Sequence, residues 1–121
     1  MTAPGVTTGA ALDPADVHLR TVVEPGAVTV TVTGEVDARC APVLERGLLE
    51  VLTRPDVAVV ELDLSRVAFL GAAGLTTLVL AHRTAERTGR LLRMRCGANR
   101  AVRRPLDLTG LSTVFTLVDA P

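Results

Sequence analysis

Between residues 27 and 33 apolar and polar positions alternate strictly: Val28, Val30 and Val32 are separated by Thr29, Thr31 and Thr33. A period of two gives one apolar and one polar face, which predicts a half-buried strand. Residues 17–23 (VHLRTVV) precede it across EPGA, a Pro-Gly turn signal, so the two segments are expected to form a hairpin. From residue 34 the period changes. Val43, Leu44, Leu48, Val51 and Leu52 recur at helical spacing, with Asp37 as the expected N-cap and Pro42 tolerable only in the first turn.

Arg54, Pro55 and Asp56 break that helix, and residues 57–64 (VAVVELDL) open as a continuous apolar run. Such a run predicts a strand covered on both faces. Residues 68–82 (AFLGAAGLTTLVLAH) then read as a buried strand end that turns at 71–74 into a second helix. Its apolar face is expected at Leu75, Leu78, Val79, His82 and Ala85, and Gly89 is a natural stop. A short strand at 91–96, a third helix at 98–110 and a last strand or extended tail at 113–118 complete the pattern. Pro105 lies inside that third helix, where it removes a hydrogen bond and crowds Ala101 at about 3 kcal/mol; a kink or a split near Arg104 is expected.

The order β-β-α-β-α-β-α-β makes this an α/β chain. Right-handed crossovers would set the strands at 27–33, 57–64 and 91–96 parallel, with helices packed on the sheet. Their C-terminal ends share one rim, which collects Glu35, Asp37, residues 71–74 and the 96–99 loop ending at Asn99. In α/β sheets that rim is where function is expected.

Composition narrows the choice. A length of 121 residues fits one domain, taken here as 16–121 after a flexible tail at 1–15. Tyr and Trp are absent and Phe occurs only at 69 and 115, so the core must be aliphatic. The formal net charge is zero, although residues 83–104 hold eight Arg against one acid, Glu86. The ordinary reading is a solvated helix face with outward strand positions; Arg100, Arg103 and Arg104 are also placed to meet an acidic partner. Stacking aromatics for nucleic acid are missing. No apolar run reaches the roughly 20 residues of a membrane span, and the N-terminus lacks the basic start and apolar stretch of a secretory signal. A cytoplasmic location is expected, with no membrane or nucleic-acid partner. Neither His nor Cys clusters at metal-ligand spacing, so no metal and no cofactor are expected.

Three ordered segments carry a resemblance. TGEVDARCAPVLERGL at 33–48, VVELDLSRVAFLGAAGLTTLVLAHRTA at 59–85 and VRRPLDLTGL at 102–111 are together similar to the STAS domain of bacterial anti-sigma factor antagonists. The resemblance implies a single mixed-sheet domain that binds protein and is no enzyme. Its implied partner is an anti-sigma factor with an ATP-binding serine-kinase fold, which it engages as a monomer or weak homodimer to free a sigma factor. In that family the kinase inactivates its antagonist at a Ser in an Asp-Ser-Ser-Gly turn, adding nearly two negative charges at the interface. Here Gly71 stands at the Asp position, Ala72 at the phosphorylated Ser and Ala73 at the next residue. Ala72 has no hydroxyl, so the usual switch is absent.

The candidate partner-binding residues are therefore Glu35, Asp37, Gly71, Ala72, Ala73, Gly74, Thr76, Thr77 and Asn99. Each has an ordinary reading beside the functional one. Gly74 lets the helix start close to the strand, Asp37 caps a helix, and Thr76 and Thr77 bond back to carbonyls, although they are also the nearest hydroxyls to the turn. Ser65 reads as a loop residue, His82 as partly buried packing and His18 as an outward edge residue. Cys40 and Cys96 flank the rim from strands roughly 10 Å apart, whereas a disulfide needs Cα atoms within about 7 Å. They are either two small buried hydrophobes or a redox switch in place of the phosphate. Two further alternatives stay open: a scaffold subunit packed on other STAS domains, and a small-ligand site, for which no glycine-rich phosphate loop speaks.

Overall fold

The computed structural model describes residues 7–8 and 17–118. Strand β1 (Thr7–Thr8) pairs antiparallel with β2 (His18–Glu24), opposite Arg20 and Thr21; the rest of the expected 1–15 tail lies outside the described residues. Strand β2 pairs antiparallel with β3 (Gly26–Val36), with Glu24 opposite Ala27, so Pro25 and Gly26 alone make the hairpin turn. Pro at the first and a glycine of φ 75° at the second central position give the sign pattern of a type II turn.

Helix α1 (Ala41–Leu52) follows, then β4 (Val57–Leu70), α2 (Ala72–Thr88), β5 (Leu91–Arg95), α3 (Arg100–Thr109), a 3₁₀ turn at Leu111–Thr113 and β6 (Thr116–Leu117). The strands lie side by side in chain order, with β3, β4, β5 and β6 parallel. Because each right-handed crossover steps the sheet in the same direction, all three helices fall on one face. Burial follows that geometry. Val28, Val30, Val32, Val60, Leu62, Leu64, Leu92 and Met94 are buried in one core with the helices, whereas Thr29, Thr31, Thr33, Glu61, Asp63, Arg93 and Arg95 alternate with them and are only half-buried. The expectation that residues 57–64 are covered on both faces is corrected: the apolar run includes an exposed Ala58 and a half-buried Val59.

On the open face Glu61 meets the guanidinium groups of Arg93 and Arg95 at 3.2 and 3.0 Å. The Arg90 guanidinium binds the Arg54 carbonyl and Arg103 binds the Gly97 carbonyl. Four of the eight clustered arginines therefore have structural roles in tying strands and loops.

Helix α2 ends as expected: Gly89 takes φ 70° and Arg90 N–H donates to the Ala85 carbonyl at 2.9 Å. Its buried face is rotated from the expected one and includes Thr77, Ala81 and Thr84 besides Leu78 and Ala85. Those threonines can be buried because their hydroxyls donate to the Ala73 and Leu80 carbonyls at 3.1 and 2.9 Å. His82 is half-buried and its ring lies 5.6 Å from that of Phe115, in keeping with a packing role. The expected split of α3 does not occur; the helix runs unbroken through Pro105 to Thr109, held by buried Val102 and Leu106.

Candidate functional site

Strand β4 is longer than its sequence pattern indicated. It pairs with β5 only from Val59 to Asp63, yet stays paired with β3 as far as Val36 opposite Leu70, across register shifts near Thr33 and Gly34. Ser65, expected in a loop, thus lies within the strand, where its N–H and hydroxyl both donate to Asp63 Oδ1 at 2.9 and 2.6 Å. Beyond Asp63 one edge of β4 has no strand beside it, and the start of α3 takes that place. Asn99 Nδ2 donates to the Leu64 and Val67 carbonyls at 3.1 and 2.8 Å, while its Oδ1 accepts Ala101 N–H at 3.0 Å as the N-cap of α3. Asn99 was expected at the rim as a partner contact; the geometry shows its amide engaged at both ends inside the domain.

At the other helix start, Gly71 N–H donates to the Val36 carbonyl at 3.0 Å and so ties the tip of β4 to β3. Gly71 is the N-cap of α2 and has no side chain to close the first turn. Residues 71–74 are therefore one cap and a helical turn rather than a free-standing turn. The amides of Ala72, Ala73 and Gly74 precede the first intrahelical bond, made from Leu75 N–H to the Gly71 carbonyl at 3.0 Å.

The candidate residues separate by exposure. Ala72 and Thr76 are exposed, Ala73 is half-buried, and Gly74 and Thr77 are buried. A Cβ on Gly74 would stand 2.8 Å from Val36 Cγ1, 2.6 Å from Leu70 Cδ1 and 3.0 Å from the Val36 carbonyl oxygen, so this glycine serves close packing. Thr77 is 4% exposed, which removes it from the contact surface, and the Thr76 hydroxyl donates to the Ala72 carbonyl at 3.1 Å.

Asp37 is also relocated. Cys40 occupies the N-cap of α1, while Asp37 sits in the preceding turn, where Oδ1 accepts Cys40 N–H at 2.9 Å. That backbone bond holds the Asp37 carboxyl below its ordinary value of 3.8, aided by the Cys40 side chain and Arg39 and opposed by partial burial. Cys40 and Cys96 are both buried and unbridged. Among the described residues no group of three or more His, Cys, Asp or Glu is arranged to hold a metal, and no helix is long and apolar enough to cross a membrane.

The residue that sequence reasoning missed is Phe69. Expected within a buried strand end, it is 49% exposed; Ala68 before it and Ala72 three residues on are exposed as well. The register sets it beside exposed Glu35 on β3. The scarcity of aromatic residues was the one available signal, because an aliphatic core with Phe115 already inside had no evident need of a second ring.

Comparison with known proteins extends this picture. The family described as Mlab, STAS domain matches residues 19–119. The anti-sigma-F factor antagonist RsfB of Mycobacterium tuberculosis is 37% identical over 93 residues, 76% of this chain and 73% of that protein. The crystal structure of an anti-sigma factor antagonist from Mycobacterium paratuberculosis has a TM-score of 0.72 at 33% identity, covering 87% of each chain. The Bacillus cell fate determinant SpoIIAA in its phosphorylated form has a TM-score of 0.66 at 15% identity, over 85% of this chain and 91% of that one, a likeness of fold alone.

Proposed function

The chain belongs to the STAS domain family, and from that premise we propose that it is an anti-sigma factor antagonist that acts by stoichiometric binding rather than catalysis. The observation that carries the reading is its 37% identity, across most of both chains, to a protein named as an anti-sigma-F factor antagonist. The rim supports it. The exposed side chains of Phe69 and, three residues on, Ala72 are apolar and uncharged and so easily desolvated, as a docking surface needs to be.

The partner is an anti-sigma factor of the serine-kinase type, met by a monomer or weak dimer of this chain. Ala72 occupies the position of the family's phosphorylated serine and offers no hydroxyl, so docking is not switched off there. An aspartate at 72 would place a charge where the contact forms, while the α2 N-terminus would stabilise that charge within the domain.

The test is binding of purified M. tuberculosis anti-sigma-F factor, followed by calorimetry. Wild-type protein is expected to bind in a stable stoichiometric complex. Ala72→Asp is expected to bind at least about tenfold more weakly with its thermal unfolding intact. With ATP present, wild-type protein should take up no phosphate at position 72 and Ala72→Ser should become a substrate. Equal binding by wild type and Ala72→Asp would remove the rim from the interface.

A further inference from the structure

We infer that Phe69 is the anchor of the docking surface, and that the partner offers an apolar socket with a cationic group beside it. The inference rests on the antagonist reading above and adds which side chain holds the complex and what receives it.

Phe69 and Phe115 are the two aromatic residues of the chain, and they are treated oppositely: Phe115 is 5% exposed and Phe69 is 49% exposed. A ring left half in water at the tip of a strand forgoes burial that a partner can supply. Ala68 and Ala72, close to it in the chain, are exposed and small. Gly71 sets the ring's place. A Cβ at position 71 would lie 2.9 Å from Phe69 Cε2 and 3.2 Å from Cζ, so the ring rests over backbone that any larger residue would cover. The φ of −92° at Gly71 is open to every residue, so a side chain there would meet the ring rather than a backbone barrier, and the ring would have to shift.

Beside the ring, Glu35 is exposed and has no ion-pair partner among the described residues. An aromatic knob flanked by a carboxylate with no ion pair among the described residues fits an apolar pocket edged by Lys or Arg. Aromatic anchors of this kind dominate binding, while a charge at the edge acts mainly on association rate.

The test uses the same purified anti-sigma-F factor, with association and dissociation measured at two salt concentrations. Phe69→Ser is expected to weaken binding about 30-fold, chiefly through faster dissociation, and Phe69→Leu to fall between. Gly71→Ala, which sets a methyl against the ring and shifts it, is expected to lose about threefold. Glu35→Arg should slow association and flatten its salt dependence. Circular dichroism checks folding of each variant, and none of these positions lies in the core. Phe69→Ser binding within twofold of wild type would overturn the anchor while leaving the antagonist reading standing. Absence of binding by the wild type overturns both.

Discussion

Helices α2 and α3 start on the same rim of the sheet and are begun in opposite ways. Both N-cap residues are extended, Gly71 with φ −92° and ψ −176° and Asn99 with φ −74° and ψ 105°. Asn99 uses its whole amide, closing the α3 turn with Oδ1 and covering the free edge of β4 with Nδ2. Gly71 contributes no side-chain bond at all. Length and packing account for the tolerance. Helix α2 has 17 residues and packs along α1, whereas α3 has 10 residues with a proline inside and needs its cap. A polar residue saturated inside the domain marks structure; the bare helix start near an exposed ring is, we propose, surface held for contact.

The sharpest way to break this contrast is Asn99→Ala. It removes the α3 cap, about 1 kcal/mol, and strips the Leu64 and Val67 carbonyls of a donor, about 1 kcal/mol each at the least. A loss of about 3 kcal/mol is expected in urea unfolding, with faster amide exchange in the first turn of α3. Gly74→Ala is the counterpart in α2. Its methyl would press on the Val36 carbonyl, which cannot swing aside as a side chain can. Overpacking of about 2 kcal/mol, less the gain of about 1 kcal/mol for alanine over glycine in a helix, leaves a net loss of about 1 kcal/mol. Ala72→Asp should do the reverse: a carboxylate in the first turn of α2 is expected to stabilise the free domain by about 0.5 kcal/mol while partner binding falls. A stabilised variant that still binds would sever the two halves of the comparison.

The element order was legible because its signals are local. Val/Thr alternation in β3, the Pro-Gly turn and Gly89 each act within a few residues. What failed was set by distant pairing. The polar pair Ser65 and Arg66 looks like a strand end, but pairing with β3 extends β4 to Leu70. The one-sided cover of the sheet follows from strand order, which the apolar start of β4 does not reveal. The rotated face of α2 depends on threonine hydroxyls finding backbone acceptors. At the rim, exposure divides the candidate residues: Ala72 and Thr76 lie on the surface, Gly74 and Thr77 inside. Phe69 escaped notice because hydrophobicity assigns it to the core, and only the scarcity of aromatic residues argues otherwise.

Helix α1 gives the finest test, since its start falls between the two extremes. Its cap residue, Cys40, makes no side-chain cap, but Asp37 reaches forward from three residues upstream to accept Cys40 N–H at 2.9 Å. The bond favours the ionised carboxylate, so the folded-state value lies below the ordinary 3.8. The stabilisation is accordingly present above the unfolded value and lost as pH falls through the folded one. Asp37→Asn keeps an acceptor oxygen and removes the charge, which isolates this effect. The stability difference between wild type and Asp37→Asn is expected to be constant above about pH 5 and to shrink as pH falls below about 4. Urea midpoints measured across that range decide it. A difference that persists unchanged in acid would assign Asp37 to hydrogen-bond geometry alone and place α1 with α3. A difference that vanishes makes its carboxylate charge part of the helix start, on the same rim where α2 offers none.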